Sequence, residues 1–278
     1  MTESSSQPRI ALLIDADNAP ADLIDEILTE LSTLGVINIR RAYGNWTKPA
    51  LNGWQSRLLE FAIRPMQQFD YSKRKNASDM AMTVDAMELL YTERPDAYGI
   101  VSSDADFTPL VMHLRAKGAA VYGFGAEQTP LPFVNACSRF LYLEALAQAH
   151  AVVEPENGGD ATGAAESDAG AADSQAMLAQ AQRVRVPTSR LRQDTSLMNL
   201  LRDAVHAVAD ETGWAKVGAV GTQISNKASF DPRNYGYASL SKLLSATEAF
   251  EFRDEGTSRV AVKDRRAQAT RTGEAGAK

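Results

Sequence analysis

The first half of the chain alternates short apolar runs with segments in which apolar residues recur at helical spacing. Residues 9–14 read RIALLI, and leucine and isoleucine positions then repeat every three or four residues as far as Gly35. Such a run predicts a strand buried on both faces, and the spacing after it predicts an amphipathic helix. The same alternation predicts further strands at 36–42, 98–102 and 119–124, and further helices at 54–61, 80–90 and 110–117.

Strands that alternate with helices predict an α/β fold in which a parallel sheet lies between layers of helices. In sheets of this kind, ligands bind beyond the carboxyl ends of the strands. We therefore expect the first domain, residues 9–147, to carry its functional site at that edge of the sheet.

The last third of the chain has a different pattern. Thr195 is a candidate N-cap for a helix at 197–209, helices at 217–226 and 237–246 follow, and 250–253 and 259–262 flank a hairpin turn. Three helices and a hairpin predict a small winged-helix domain at 195–264. Residues 148–190 are rich in alanine, glycine and acids and predict a disordered linker, and 265–278 predict a disordered tail.

The cysteine and histidine content excludes two classes of site. One cysteine, Cys137, cannot form a disulfide scaffold, and with three scattered histidines the chain has no Cys/His zinc site. A reducing, cytoplasmic setting is the expectation. No apolar stretch approaches the roughly 18 residues of a membrane span, and no signal peptide is predicted, so no membrane partner is expected.

The formal net charge of -6 conceals three unlike regions. Residues 1–149 have a net charge of -5, residues 150–182 have six acids and no bases, and residues 183–278 have a net charge of +5. A basic C-terminal third suits an electrostatic contact with nucleic acid.

Acidic residues collect where the predicted strands of the first domain end. Asp15, Asp17 and Asn18 follow the first strand, Asp104 and Asp106 follow the strand at 98–102, and the helix before that strand carries Asp79 and Asp85. Carboxylates that converge at one edge repel one another unless a hard cation neutralises them, which predicts Mg²⁺ or Mn²⁺. Any single one of these residues is also a common turn former or helix cap.

Five strings of the first domain, in order, resemble the NYN domain, a branch of the PIN-like ribonuclease superfamily: LLIDADNAP, YGNW, KNASDMAMTVDAMELL, VSSDADFTPLVMHLRAKG and VYGFG. The resemblance implies a Rossmann-like parallel sheet and metal-dependent cleavage of RNA. It assigns the catalytic and metal-binding acids to Asp15, Asp79, Asp104 and Asp106. Asn18, Asp85 and Asp17 are secondary candidates. Asp85 ranks lower because it is six positions from Asp79, whereas residues on the same face of a helix are three or four positions apart.

Basic and aromatic residues near these strings are candidates for holding RNA. Lys and Arg position a phosphate backbone, and an aromatic ring can stack an unpaired base. The candidates in the first domain are Lys73, Arg74, Lys75, Arg41, Trp46 and Lys48. The alternative is a solvated loop beside a core tryptophan.

The segment at 197–263 resembles the OST-HTH domain, also called LOTUS, on the strings GWAKVGAVGTQI, FDPRNYGYASLSKLL and FEFRDEGTSRVAV. The resemblance implies a winged helix that binds RNA and, in some members, a protein partner. A second copy of the chain and a different protein are both open as that partner. The candidate RNA contacts are Lys227, Arg233, Tyr235 and Lys242, with Arg253 and Arg259 on the wing, although Tyr235 is also a candidate core residue.

Three functions remain open from the sequence. The leading one is a divalent-metal-dependent (endo)ribonuclease with an appended RNA-binding winged helix. The second is an RNA-binding or scaffold protein without catalysis. The third takes LLIDADN as the D-x-D opening of a haloacid-dehalogenase phosphatase, but Asn18 and Ala19 depart from that family's pattern.

Overall fold

The computed structural model describes residues 7–69, 77–151, 185–257 and 259–266. The chain divides into two compact units, Met1–Gln182 and Arg183–Lys278. Within the described ranges, no helix has the length and apolar character needed to cross a membrane.

The first unit is built on six strands: β1 (Arg9–Asp15), β2 (Val36–Gly44), β3 (Arg64–Gln67), β4 (Ala97–Val101), β5 (Ala120–Gly125) and β6 (Arg139–Tyr142). They form one sheet in the order β3-β2-β1-β4-β5-β6, and every neighbouring pair is parallel. The helices are α1 (Ile24–Ser32), α2 (Trp54–Glu60), α3 (Ala77–Thr92), α4 (Thr108–Ala116), α5 (Leu131–Ala136) and α6 (Leu143–Ala151). The predicted α/β fold with a Rossmann-like parallel sheet is confirmed.

Side chains of β1 alternate between two cores, one on each face of the sheet. Ile10, Leu12 and Ile14 join the core that contains residues of α1, α2 and α6. Ala11 and Leu13 join the opposite core, with residues of α3, α4 and α5. Because successive strand side chains point to opposite faces, a strand covered on both faces is apolar throughout. The apolar run of β1 ends at Asp15, the last residue of the strand.

The second unit contains the helices α7 (Thr188–Gln193), α8 (Thr195–Val208), α9 (Val217–Lys227) and α10 (Leu240–Thr247). Its strands, β7 (Ala215–Lys216), β8 (Phe250–Arg253) and β9 (Ala261–Asp264), form an antiparallel sheet in the order β7-β9-β8. A single apolar core joins the helices to the sheet, with Leu201, Val220 and Leu243 fully buried. The predicted helices and hairpin are therefore present, with one further helix and one further strand.

Several elements differ from the predictions for physical reasons. β3, α5, β6, α7 and β7 have two to six residues each, which is too short to show a hydrophobic period. The N-cap of α8 is Asp194, whose side chain accepts a hydrogen bond from Leu197 N, rather than Thr195. The third predicted helix begins only at Leu240, because a short 3-10 turn ends at Gly236, where φ is +79°.

The predicted linker at 148–190 overlaps ordered elements at both ends. α6 continues to Ala151, and α7 begins at Thr188 and buries Leu191 in the core of the second unit. Residues 152–184, the rest of that prediction, and 267–278 of the predicted tail lie outside the described residues.

Candidate active site

The acidic candidates of the first unit lie near β1 and β4, where the order of the strands in the sheet reverses. β1 and β4 are neighbours in the sheet, and the strand order runs outward from them in both directions. The helices on either side of such a point diverge and leave a crevice beyond the carboxyl ends of the strands. Asp15 ends β1, Asp104 lies just after β4, and Asp79 lies in the first turn of α3.

Asp15 is the most deeply buried of these carboxylates, with 1% of its surface exposed. Its Oδ2 atom accepts hydrogen bonds from Asn18 Nδ2 and from Ser102 Oγ, each at 2.9 Å. Its Oδ1 atom is buried and has no hydrogen-bond partner. Burial raises the pKa of Asp15, the two hydrogen bonds oppose that rise, and the charges of Asp17 and Asp104 add to it.

Asp79 shows that the predicted acids lie close together. Burial is the largest cause of its raised pKa, which reaches about 6. Repulsion from four neighbouring carboxylates adds to the rise, in decreasing order from Asp15, Asp104, Asp17 and Asp106. The structure therefore brings all four primary candidates into one electrostatically coupled group, which we call the acidic edge (Asp15, Asp79, Asp104 and Asp106).

Ser102 links two members of the acidic edge. Its hydroxyl donates to Asp15 Oδ2 and accepts a hydrogen bond from the Asp104 backbone N–H at 3.1 Å. Asp104 in turn accepts the backbone N–H of Asp106 at 2.8 Å and so caps a short 3-10 helix. Sequence reasoning assigned Ser102 no role, although its place in the string SSDAD, directly after a buried strand, was the available signal.

Asp17 lies beside the acidic edge but is already paired. Its Oδ1 atom lies 3.0 Å from Lys48 Nζ, and its Oδ2 atom accepts a hydrogen bond from Ser78 Oγ at 2.6 Å. These contacts tie the end of β1 to the start of α3. Lys48, a predicted RNA contact, is thus placed as the counter-ion of Asp17.

Asp85 is placed apart from the acidic edge. It forms an ion pair with Arg41 and accepts a hydrogen bond from the hydroxyl of Tyr43. Burial raises the pKa of Tyr43 well above its usual range, and the hydrogen bond and charge of Asp85 add to the rise. Asp85 on α3 and Arg41 on β2 therefore pair with each other. The active-site role predicted for Asp85 and the RNA contact predicted for Arg41 stay predictions.

The remaining candidates of the first unit lie either outside the acidic edge or outside the described residues. Trp46 packs partly buried against the core of the α1 side, and its indole nitrogen is buried, which favours a core role over a substrate platform. Lys73, Arg74 and Lys75 lie outside the described residues.

The predicted RNA contacts of the second unit differ in their surroundings. Lys227 donates to Asp203 at 2.6 Å on the surface, and Arg233 forms two hydrogen bonds with the buried carboxylate of Asp231. Tyr235 packs against Phe230 with its ring centroid 5.9 Å away. Lys242 is exposed in the first turn of α10.

Two cations lie over Trp214 in the second unit, and of these residues only Arg253 is a candidate RNA contact from the sequence. The Arg253 guanidinium lies 4.9 Å from the centre of the Trp214 ring, and Lys263 Nζ lies 6.0 Å from it. Trp214 precedes β7, whereas the two cations lie on β8 and β9, so the sheet pairing assembles the group. No local sequence pattern signals this cluster.

The acidic edge has the donor chemistry of a hard cation site. Carboxylate oxygens are the ligands that Mg²⁺ and Mn²⁺ prefer, and the buried Asp15 Oδ1 has a vacant hydrogen-bonding capacity. Within the described ranges, no three carboxylate, imidazole or thiol groups are arranged to hold a metal ion as they stand. The carboxylates thus fit a divalent cation by the chemistry of their donor atoms.

Comparison with known proteins gives two family matches. Residues 9–144 match the model of the NYN domain, and residues 192–262 match the model of the OST-HTH/LOTUS domain. An uncharacterized protein of Methanocaldococcus jannaschii is 37% identical over 125 residues, which are 43% of this chain and 48% of that protein. This chain therefore spans about half the length of that relative.

A crystal structure of a protein of unknown function from Vibrio parahaemolyticus is a distant structural match. It has a TM-score of 0.40 and 20% identity, and covers 51% of this chain and 96% of that one.

Proposed function

Since residues 9–144 form an NYN domain and residues 192–262 form an OST-HTH/LOTUS domain, we propose that this chain hydrolyses RNA phosphodiester bonds with the help of Mg²⁺ or Mn²⁺. The two domains make it a ribonuclease-like RNA-binding protein. The proposal adds the chemistry, the ion and the residues that hold it.

One observation carries the proposal: a buried carboxylate is placed among like charges. Asp15 is 1% exposed, one of its oxygens has no partner, and the nearby Asp17 and Asp104 raise its pKa further. Burying a charge without a counter-charge is costly, and groups whose pKa values are perturbed in a crevice are typical of functional sites. A cation bound at the acidic edge would remove that cost.

The four residues of the acidic edge would hold the ion, which when bound activates a water and stabilises the charge of in-line phosphodiester displacement. The chain itself supplies the positioning. Ser102 fixes Asp15 and the Asp104 backbone relative to each other. Asn18 Nδ2 donates the second hydrogen bond to Asp15 Oδ2. These contacts keep Asp15 Oδ1 directed away from protein donors.

The second unit would retain RNA near the acidic edge. Residues 183–278 have a net charge of +5, and Lys242, Arg253 and Arg259 are exposed on this unit. Contacts from such residues to phosphate depend on salt and read no sequence, so they act as a tether that raises the local concentration of substrate.

The second candidate function is RNA binding without cleavage, and the match of residues 192–262 to the OST-HTH/LOTUS domain supports it. The match to the NYN model over residues 9–144 includes the string LLIDADN and supports the nuclease interpretation over a phosphatase.

The test is cleavage of single-stranded RNA by the full chain in a titration of Mn²⁺ and Mg²⁺, with EDTA as the metal-free control. We expect metal-dependent products, and the same preparation of the Asp104→Asn variant excludes a contaminating nuclease. A covalently closed circular RNA, which has no ends, distinguishes endonucleolytic from exonucleolytic cleavage. Bound RNA that stays intact in both ions would reject the enzyme and leave the RNA-binding function.

A further inference from the structure

Residues 185–193, which include α7, pack on the second unit although the match to the OST-HTH/LOTUS domain starts only at residue 192. Val186 N donates a hydrogen bond to Tyr235 O at 3.2 Å, and Val186 O accepts one from the Tyr237 hydroxyl at 2.8 Å. Leu191, on α7, is fully buried in the core. Residues 185–193, which we call the α7 segment, are therefore part of the folded unit.

The packing of the α7 segment fixes the position of Arg185. A Cβ atom at Gly236 would lie 3.0 Å from Arg185 Cα, so this close approach, together with the positive φ of Gly236, requires glycine. The Arg185 guanidinium lies 5.9 Å from the centre of the Tyr237 ring. A cation over an aromatic ring is attracted by the negative face of the ring. Arg185 is thus an exposed cation in a defined place.

The α7 segment presents three exposed arginines that differ in their surroundings. Arg192 pairs with Glu248 at 3.0 Å and donates from Nε to Thr247 O at 2.8 Å, which holds its side chain against the end of α10. Within the described ranges, no carboxylate forms an ion pair with Arg185 or Arg190. The charges of these two arginines are available to a ligand.

The wing, which consists of β8, β9 and the turn between them, also carries cations, but acids accompany them. Arg253 Nε lies 3.8 Å from Asp254 Oδ2, and Lys263 pairs in register with Glu251 on the neighbouring strand. Lys263 Nζ also donates to Thr212 O at 2.9 Å. An acid beside a cation repels phosphate and cancels much of the attraction. The charge distribution therefore favours the α7 segment over the wing as a surface for phosphate.

We infer that the α7 segment is the principal surface of the second unit for the RNA backbone, with Arg185 and Arg190 in contact with phosphates. The inference rests on the proposed function for RNA as the ligand, and it narrows the tether to one surface. A guanidinium donates paired hydrogen bonds to phosphate oxygens, and such contacts read no sequence. The segment, RVPTSRLRQ, has no aromatic residue on which a base could stack, so we expect binding that does not depend on base identity.

The experiment measures binding of the full chain to fluorescein-labelled oligouridine by fluorescence anisotropy, in EDTA and at several KCl concentrations. Arg185→Gln combined with Arg190→Gln should weaken binding roughly tenfold at low salt and lower the slope of log K against log [KCl] by about 0.7 for each lost contact. Arg253→Gln combined with Arg259→Gln removes the same charge from the wing and should weaken binding by less than about twofold. Oligocytidine of equal length should give the same ratios.

A charge-conserving variant separates phosphate binding from a structural role of the two arginines. Arg185→Lys combined with Arg190→Lys keeps both charges and should retain the wild-type salt slope, because an ammonium group also binds phosphate. Urea unfolding of the glutamine and lysine variants should match that of the wild type. If the lysine variant loses as much affinity as the glutamine variant, the arginines act through the fold and the inference is overturned.

The remaining outcomes separate this inference from the proposed function. If the α7 variant loses affinity and salt slope but the wild type does not cleave RNA in Mn²⁺ or Mg²⁺, the surface stands and the nuclease proposal fails. If RNA is cleaved but the wing variant loses as much affinity as the α7 variant, only the total charge matters and the surface is overturned. Unchanged RNA affinity with a changed oligomeric state in light scattering would assign the α7 segment to a protein partner and also overturn it.

Discussion

Among the described residues, three carboxylates are almost completely buried, and they differ in what surrounds them. Asp231 and Asp264 of the second unit are 1% and 2% exposed, and each lies beside an arginine: Arg233 at 3.0 Å and Arg202 at 3.4 Å. Asp15 of the first unit is as deeply buried, but its charged neighbours Asp17 and Asp104 are acids. Asp231 and Asp264 each have a cationic partner, whereas Asp15 accepts hydrogen bonds from Asn18 and Ser102 and has no cationic partner among the described residues.

The difference indicates which acids are available for chemistry. A buried ion pair is costly to break and contributes a fixed geometry, so Asp231 with Arg233 serves the fold. A carboxylate held among like charges destabilises the folded chain, and such sites are retained where a ligand compensates for them. The helix α3 shows the same contrast between an unpaired and a paired carboxylate. Asp79 belongs to the acidic edge and is surrounded by like charges, whereas Asp85 forms an ion pair with Arg41.

The largest expected effect follows from removing one charge of the acidic edge. Asp104→Asn should lower the cleavage rate by roughly 1,000-fold, because it removes one ligand charge for the cation at nearly constant shape. RNA affinity should change little, and the amide oxygen of asparagine can still accept the Asp106 N–H that caps the 3-10 helix. Single-turnover cleavage and equilibrium binding to the same RNA measure the two properties separately. Retained cleavage would remove Asp104 from the site.

Breaking a paired carboxylate should instead affect stability. Arg233→Met leaves Asp231 buried without its guanidinium partner and should lower the free energy of unfolding of the second unit by about 3 kcal/mol. Urea denaturation followed by the fluorescence of Trp214, a tryptophan of that unit, measures this change. Arg259→Met, at an exposed arginine of the same unit, is the control and should change stability by less than about 0.5 kcal/mol.

If the two arginine variants are equally stable and Arg233→Met mainly weakens RNA binding, the assignment of Arg233 to structure is wrong. The sequence-based prediction of Arg233 as an RNA contact would then be the better one.

A smaller effect separates the two acids of α3. Asp85→Asn removes the charge that faces Arg41 and should cost the first unit about 2 kcal/mol of stability, while cleavage at saturating RNA should stay within about threefold of the wild type. Asp79→Asn is the matched comparison on the same helix and should lose cleavage without that cost. Thermal unfolding of both variants measures the change in stability, and their initial cleavage rates measure the change in activity. Equal losses of cleavage would place Asp85 in the acidic edge after all.

The sequence predicts the acidic edge because this prediction requires only the positions at which the buried strands end. A parallel sheet brings the carboxyl ends of its strands to one edge, so the strings LLIDADN and VSSDADF are sufficient to expect Asp15 and Asp104 together. The pairing of Arg41 with Asp85 joins residues 44 positions apart, and no local pattern shows it. The ion pair of Lys48 with Asp17 also joins residues far apart in the sequence and is seen only in the fold.

The elements that the sequence does not predict are those too short to show a periodic pattern of hydrophobic residues. β3 has four residues, one of them Pro65, and lies at the edge of the sheet, where a strand need not be apolar on both faces.

The smallest expected effect is a pH dependence of stability that comes from Asp79. Its pKa in the folded chain, about 6, is above the value near 3.8 for an unperturbed aspartate. Between these values the folded state holds more protons than the unfolded state, so the free energy of unfolding falls as the pH rises from about 4 to about 6. Relative to Asp79→Asn, the wild type should therefore lose stability over this range, by on the order of 1 kcal/mol once solvent screening is allowed for.

Urea unfolding of the full chain in EDTA at several pH values, compared between the wild type and Asp79→Asn, measures this difference. The same substitution at Asp25, an exposed carboxyl on α1, controls for the loss of a carboxyl group as such. Because a cation at the acidic edge would bind only the folded state, added Mn²⁺ at pH 7 should restore stability to the wild type more than to the variant. A difference that does not change with pH would mean that Asp79 does not experience the like charges that set the acidic edge apart from the paired carboxylates of the second unit.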